Sequence, residues 1–207
     1  ADTTEGQAYR YALYKLNPFV VTGSSALYDG INAHGELNLY DPTSGQGNLT
    51  NLHLQDRAAM LSWMMQFNTL DIAPATTAFG DTFFKLGSFG DRYYFEDAAT
   101  HTQIRIGETV DLLQPPTDFR HIVFGSDSDE TLNGEAKPDH LYGGAGVDAL
   151  TGNKGNDYLE GGQGFDTYII NPGDGTDTLL DTDGLGVVKF GDIEANGSAG
   201  IDPTKWI

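Results

Sequence analysis

The chain has 207 residues, enough for one ordinary domain or two small ones, and its 30 acidic and 11 basic side chains leave a formal charge of −19. Because phosphate backbones are bound by lysine and arginine, this charge excludes a nucleic-acid surface. An anionic membrane would also repel the chain unless a cation stood between them. Cysteine is absent, which excludes disulfides, thiolate metal sites and cysteine nucleophiles and leaves carboxylates as the candidate metal ligands.

The N-terminal residues predict a helix followed by a short strand. Thr4 is the predicted N-cap, and Asn17-Pro18 ends the helix because the residue before a proline avoids helical angles. The apolar side of this helix follows the i, i+4, i+7 spacing and consists of Tyr9, Leu13 and Leu16. Residues 19–21 then predict a strand.

A turn and a second helix are expected next. Residues 45–48 predict the turn, and Thr50 is the predicted N-cap of the helix. Its apolar stripe continues to Phe67 and begins with Leu54, Ala58, Leu61 and Met65. The first part of the chain therefore predicts a mixed α+β module.

Strand patterns dominate from residue 83 onward. Residues 92–95 and 103–106 flank a polar stretch of loop length, which predicts a β-hairpin. Pro115-Pro116 marks a linker, and residues 121–124 predict a strand that leads into a glycine-rich segment. Residues 187–190 predict a further strand that covers the open end of that segment.

The composition changes sharply near residue 121. Residues 125–186 carry 13 acidic and 2 basic side chains and 14 of the 27 glycines, whereas the last 21 residues are close to neutral. We therefore predict three regions: a spacer or cap module at 1–120, a repeat region at 121–186, and a capping strand and tail at 187–207. We expect the chain to be a fragment of a longer protein.

The glycine-rich segment contains a nine-residue repeat. Its acidic positions are Asp139, Asp148, Asp157 and Asp166. A large apolar residue follows each acid by two positions, at Leu141, Leu150, Leu159 and Tyr168. A glycine precedes each acid by five positions, at Gly134, Gly143, Gly152 and Gly161. Residues 125–133 fit the same frame, with Glu130 in the acidic position.

This pattern resembles the RTX family of calcium-binding nonapeptide repeats, Gly-Gly-x-Gly-x-Asp-x-U-x. The resemblance covers about residues 125 to 170. It implies a parallel β-roll in which two repeats complete one turn, the glycine-rich part forms a corner and the last three residues form a short strand. It also implies that calcium, which prefers six to eight oxygen ligands, is held between the corners of adjacent turns.

The family pattern implies about three to four calcium ions and a set of ligands. One ion is expected between the corners of Asp148 and Asp166, a second between those of Asp139 and Asp157, and a weaker third between Glu130 and Asp148. The main-chain carbonyls expected to complete the first two sites belong to Gly143, Ala145, Gly162, Gly164, Asn153 and Gly155. A last site is expected to be closed by Asp177 or Asp181.

The repeat also departs from the family pattern. Residues 134–142 have Glu135 and Lys137 where glycines are expected and Pro138 beside Asp139, so we expect an incomplete site there. After Tyr168 the frame slips by two residues and then resumes.

Several functions remain open on the sequence. The segment contains no Gly-x-Ser-x-Gly and no His-Glu-x-x-His motif, so we do not expect it to be an enzyme. The resemblance implies a calcium-folded region of a bacterial protein that is exported by a type I secretion apparatus and is found outside the cell or on its surface. We expect a monomeric fragment without direct membrane insertion. The alternatives are an accessory C-terminal part of a lipase-like RTX hydrolase and a part of an RTX adhesin or toxin.

Overall fold

The computed structural model describes residues 3–24, 26–69, 75–76, 82–86, 92–107, 117–191 and 193–196. For the strands at 75–76, 82–86 and 193–196 it describes the backbone only. Backbone contacts divide the chain into two units, Ala1–Ile72 and Ala73–Ile207. The first unit contains the helices α1 (Thr4–Tyr14), α2 (Ala26–Asp29) and α3 (Asn51–Thr69). Across the ranges described, every helix is too short or too polar to cross a membrane.

Helix α1 begins as predicted within one residue, but its buried side differs from the prediction. Thr3, not Thr4, is the N-cap, and its Oγ1 accepts the backbone N–H of Gly6 at 3.1 Å. Tyr9 is 53% exposed, whereas Ala8 and Ala12 are buried. The predicted apolar side is therefore wrong at Tyr9, because the small alanines allow the close packing that the larger ring does not.

Helix α3 confirms its predicted cap and contradicts its predicted stripe. Thr50 Oγ1 accepts the backbone N–H of His53 at 3.1 Å. Phe67 is buried as expected, but Ala58 is exposed and Met65 is 50% exposed. The buried side also includes three polar residues that hydropathy alone assigns to solvent: His53, Asp56 and Arg57. Within this unit Leu54 packs on a small core formed by Ala8, Tyr28, Leu37 and Leu49.

The strand predicted at residues 19–21 is wrong. No strand pairing occurs there among the described residues, and Phe19 and Val21 are 76% and 61% exposed. The turn predicted at residues 45–48 is confirmed, with Asp41 bridged to Gln46 and with positive φ angles at Gly45 and Gly47.

The described residues of the second unit form strands and the turns and loops between them. The strands are β1 (Ala75–Thr76), β2 (Thr82–Leu86), β3 (Tyr93–Asp97), β4 (Thr102–Ile106), β5 (Arg120–Phe124), β6 (Thr131–Asn133), β7 (His140–Ala145), β8 (Ala149–Thr151), β9 (Tyr158–Gln163), β10 (Asp166–Ile170), β11 (Thr178–Leu180), β12 (Gly186–Phe190) and β13 (Ile193–Asn196). They form two sheets, one ordered β1-β2-β4-β3-β5-β7-β9-β11 and the other β13-β12-β10-β8-β6.

Successive short strands alternate between the two sheets, which confirms the predicted parallel β-roll. From β5 to β12 the neighbours within each sheet are parallel, and residues 18 apart are partners, as in the pair Leu141 and Leu159. The predicted slip is also confirmed, because Leu159 pairs with Leu179, 20 residues away. The predicted strand at 187–190 lies in β12, which pairs in parallel with β10 and antiparallel with β13.

The predicted hairpin at residues 92–106 is confirmed and joins the larger sheet. Strands β3 and β4 pair antiparallel, and β3 then pairs in parallel with β5, with Phe95 opposite Ile122. Pro115-Pro116 lies outside the described residues. The three predicted regions, 1–120, 121–186 and 187–207, stay a prediction, whereas the contacts place a division between Ile72 and Ala73.

The core of the roll is a stack of one large apolar side chain from each repeat. Its buried members come alternately from the two sheets: Val123, Leu132, Leu141, Leu150, Leu159 and Tyr168. Leu141, Leu150 and Leu159 are completely buried. This narrow core leaves the corners of the roll to be held by other interactions, because each repeat contributes only one side chain to the stack.

Candidate metal centre

The acidic residues of the repeat lie at the corners of the roll, in two columns. The register pairs residues 18 or 20 apart, so the acids of every second repeat are stacked on the same edge. One column contains Asp139, Asp157 and Asp177. The other contains Glu130, Asp148 and Asp166.

In each column the carboxylate of one turn accepts the backbone N–H of the acidic residue in the preceding turn. Asp139 N–H donates to Asp157 Oδ1 at 2.8 Å, and Asp157 N–H donates to Asp177 Oδ1 at 3.0 Å. In the other column, Glu130 N–H donates to Asp148 Oδ1 at 2.8 Å, and Asp148 N–H donates to Asp166 Oδ1 at 2.9 Å. One oxygen of each aspartate therefore joins adjacent turns.

The second oxygen of most of these aspartates is buried and unsatisfied. Oδ2 has no hydrogen-bond partner among the described residues in Asp148, Asp157, Asp166, Asp177 and Asp181. The side chains of Asp148, Asp157 and Asp166 are between 0 and 2% exposed. A buried carboxylate oxygen without a partner is costly, so these corners fit a group that supplies positive charge. A calcium ion held there would supply that charge and would accept hard oxygen ligands of this type.

The electrostatics of the corner carboxylates agree with this fit. Burial is the main cause that raises the pKa of Asp148 to about 6. The charges of Asp166 and Glu130 raise this pKa further, and the hydrogen bond from the Glu130 N–H lowers it in part. Burial and the charges of Asp139 and Asp177 raise the pKa of Asp157 to about 7. The pKa values of Asp139, Asp166 and Asp177 are also raised, in each case mainly by burial. The carboxylates therefore hold protons unusually tightly when no cation is bound.

Beside the carboxylates of the regular repeats only glycine fits, because a side chain at that position would overlap the carboxylate. A Cβ atom at Gly143 would collide with Asp148 Oδ2, and one at Gly161 would collide with Asp166 Oδ2. At the next position, Gly144 and Gly162 both have φ of 106°, which strains any residue with a side chain. The spacing between the first glycine and the aspartate thus creates the place where the carboxylate lies.

The remaining predicted ligands lie at the same corners, but their role as ligands stays a prediction. Gly143 and Ala145 are in β7, Gly162 is in β9, and Gly164 follows β9. Gly162 O accepts the hydroxyl of Thr182 at 3.0 Å. On the other edge are Gly155 and Asn153, and the Asn153 side chain donates to Gly134 O at 2.8 Å.

The irregular first repeats differ from the regular ones. Asp139 Oδ2 accepts the backbone N–H of Glu135 at 2.6 Å, so this oxygen already has a partner. Both oxygens of Glu130 accept hydrogen bonds from Ser126, one from its hydroxyl and one from its backbone N–H. The incomplete site expected at Asp139 and the weaker site expected at Glu130 stay predictions.

The corners do not form a cage of side chains. No group of three or more histidine, aspartate or glutamate side chains with metal-binding geometry is present in the part of the chain that the structure describes.

One feature that sequence reasoning missed is the hydroxyl of Tyr168, which accepts the Gly161 N–H and donates to Leu180 O, both at 2.9 Å. The family pattern requires only a large apolar residue at this position, so nothing in the spacing pointed to this hydroxyl.

A comparison with protein families supports a calcium-binding repeat in this part of the chain. No curated protein and no solved structure shows significant similarity to the chain. A family model, RTX calcium-binding nonapeptide repeat, matches residues 124–159 and 139–168, with four copies. Together with the stacked corners and their unsatisfied carboxylates, this match identifies residues 124–168 as RTX calcium-binding nonapeptide repeats arranged in a β-roll.

Proposed function

We propose that the roll is a calcium-dependent folding module of a larger secreted bacterial protein. The observation that carries this proposal is the set of buried Oδ2 atoms without partners in Asp148, Asp157 and Asp166. Without a cation these groups oppose folding through desolvation and through mutual repulsion, which is about 1 kcal/mol per pair at 4 Å in water and about 4 kcal/mol at an effective dielectric constant of 20. Calcium binding is therefore part of the folding free energy.

The corners with unpartnered oxygens support a number of ions. We infer about three to four ions per chain. Asp157 with Asp177, and Asp148 with Asp166, each form a pair of adjacent corners with unsatisfied oxygens, whereas the pair Asp139 and Asp157 is weaker because Asp139 Oδ2 is already bonded. Carbonyl oxygens of the glycine-rich loops complete the coordination.

Calcium dependence also suits export. A chain kept extended where calcium is scarce can pass through a type I secretion apparatus, and the calcium outside the cell then orders the repeats. Extracellular calcium modules have dissociation constants on the order of 10⁻⁴ to 10⁻³ M, which matches this use. The charge of −19 favours a monomer, because copies repel one another. The hydrolase and adhesin alternatives concern other parts of the parent protein and stay predictions.

A calcium titration tests the proposal. The purified chain is stripped of metal, and circular dichroism and isothermal calorimetry are recorded as calcium is added, with magnesium at the same concentration as the control. We expect β signal to increase with calcium and the calorimetric stoichiometry to reach three to four ions per chain. An unchanged spectrum together with no heat of binding would overturn the proposal.

A further inference from the structure

The last corner of the roll reverses the positions of glycine and aspartate. In the regular corners a glycine is followed five residues later by an acid, as in Gly161 and Asp166. The register pairs Leu180 with Glu160, which places Asp181 in the position of Gly161. It also pairs Gly186 directly with Asp166. Asp181 therefore stands where the regular repeat has glycine, and Gly186 stands where it has aspartate.

The exchanged carboxylate lies in the same part of the corner. In the regular corner, a Cβ atom at Gly161 would meet Asp166 Oδ2. In the last corner, a Cβ atom at Gly186 would lie 2.5 Å from Asp181 Oδ2. The side chain of Asp181 thus reaches forward across the loop to the glycine, whereas the side chain of Asp166 reaches back. Both arrangements leave one carboxylate and one glycine facing each other.

The hydrogen bonds confirm that Asp181 is held differently from the regular aspartates. Its Oδ1 accepts the N–H of Gly184, in its own loop, at 2.8 Å. The N–H of Asp166, which would meet a carboxylate in a regular turn, instead donates to Leu185 O at 3.1 Å. The exchange therefore replaces the carboxylate acceptor between turns with the main-chain oxygen of Leu185, but it keeps a carboxylate at the corner.

Two unsatisfied oxygens then belong to adjacent corners at this end of the roll. Asp166 is completely buried, and its Oδ2 has no hydrogen-bond partner among the residues that the structure describes. Asp181 Oδ2 is also a buried atom without a hydrogen-bond partner among the described residues. The hydroxyl of Tyr168 bonds to Gly161 N–H and to Leu180 O, so it fixes the residue before Asp181 against the preceding corner.

We propose that Asp166 and Asp181 form the terminal calcium site of the roll, in which Asp181 replaces, from the opposite end of the loop, the carboxylate that residue 186 lacks. This inference rests on the proposed function. The site lies at the C-terminal end of the column that contains Asp148 and Asp166, next to β12, and it protects an end at which a solenoid would otherwise fray.

A reciprocal exchange tests the proposal. Three variants are compared with the unchanged chain: Asp181→Gly, Gly186→Asp, and the double variant. Calcium per chain is counted by calorimetry and by metal analysis after gel filtration in calcium, and the melting temperature is recorded with and without calcium. Asp181→Gly is expected to lose one ion and to show a smaller calcium-induced rise in melting temperature.

The other two variants distinguish the loss of the terminal calcium site from a general loss of stability. Gly186→Asp alone is expected to gain no ion and to melt at a lower temperature, because its Cβ would lie against Asp181 Oδ2. The double variant has the regular arrangement and is expected to regain the ion count of the unchanged chain. An unchanged count in Asp181→Gly, or a double variant that stays one ion short, would overturn the proposal.

A conservative variant covers the case in which the double variant does not fold. Asp181→Asn keeps the oxygen that accepts the Gly184 N–H and removes only the charge, so it is expected to fold and to bind one ion fewer. Asp29→Asn is the matched control, since it removes the same negative charge from an exposed residue of helix α2 in the first unit. A loss of one ion in both variants, or in neither, would contradict a site at Asp181. An unchanged chain that binds no calcium would instead refute the proposed function.

Discussion

Asp148 donates its backbone N–H to Oδ1 of Asp166 at 2.9 Å, while Oδ2 of both residues is buried without a partner among the described residues. One oxygen therefore joins adjacent turns, and the other is directed into a corner that offers it no hydrogen-bond donor among the described residues. This division explains why the repeat needs an aspartate at each corner, because an apolar residue there would satisfy neither requirement.

The first prediction concerns the charge of a regular corner. Asp148→Asn keeps the oxygen that accepts the Glu130 N–H but removes the negative charge. We expect the loss of at least one calcium ion. With 10 mM calcium and dissociation constants on the order of 10⁻⁴ to 10⁻³ M, the loss of one site lowers the calcium-dependent stability by about 1.4 to 2.7 kcal/mol. Calorimetry and urea unfolding measure both effects.

Asp29→Asn serves as the control for Asp148→Asn as well, because it removes the same negative charge at an exposed position in helix α2. Its ion count and its unfolding midpoint in calcium should remain those of the unchanged chain. Equal losses in the two variants would show that net charge, and not a site at Asp148, controls binding.

The second prediction compares a regular corner with an irregular one. Asp157 Oδ2 has no partner among the described residues, whereas Asp139 Oδ2 accepts the Glu135 N–H at 2.6 Å. We therefore expect Asp157→Asn to reduce calcium affinity more than Asp139→Asn does. Calorimetric titration of the two variants under the same conditions checks this order, and the reverse order would show that the Glu135 contact opens when calcium binds.

The third prediction concerns pH. Without a bound cation, the pKa of Asp157 is raised to about 7 and that of Asp148 to about 6, mainly by burial, while the ordinary value is 3.8. The folded state therefore binds more protons than the unfolded state between pH 4 and 7, so the calcium-free fold loses stability as the pH rises through this range. Calcium affinity changes in the opposite direction, because the ligands must be ionised.

The rise in melting temperature caused by calcium should accordingly be large at pH 8 and small at pH 5. Melting curves of metal-stripped samples with and without added calcium, at constant ionic strength, measure this difference. A rise that does not change between pH 8 and pH 5 would mean that the corner carboxylates are ionised throughout this range.

The repeat was predicted well because its structure depends on contacts at fixed sequence spacing. The core residues Leu141, Leu150 and Leu159 and the corner acids follow directly from the nine-residue period, and the slip after Tyr168 appears as a change of register from 18 to 20 residues. The sequence named Asp181 as one of two candidates for a last site, but the fixed frame did not show that glycine and aspartate exchange positions there. Spacing alone cannot show that a side chain reaches the same place from the other end of a loop.

The helical unit was predicted less well because its helices do not bury their most apolar sides. In α3 the buried residues include His53 and Arg57, and Arg57 Nε lies 3.4 Å from His53 Nε2. Hydropathy assigns such residues to solvent, so the buried side of the helix was predicted to include Ala58 and Met65, which are exposed. Polar contacts between distant residues, such as Arg10 with Leu37 O, are not visible in local periodicity.

The last prediction concerns the narrow core. Leu150 is completely buried in the stack between Leu132 and Tyr168, to which the register pairs it. Truncation to alanine leaves a cavity in a core with one large side chain per repeat, and we expect a loss of about 2 to 5 kcal/mol in the free energy of unfolding in calcium. Val147→Ala, at a residue that is 55% exposed in the adjacent corner, should change the free energy of unfolding by less than about 0.5 kcal/mol. Urea unfolding in saturating calcium measures the effects of both substitutions.

The ion count of Leu150→Ala is the second measurement. Because this substitution removes no oxygen ligand, its ion count at saturation should equal that of the unchanged chain. A lower ion count would show that the core also positions the corners, so that packing and metal binding are not separate contributions.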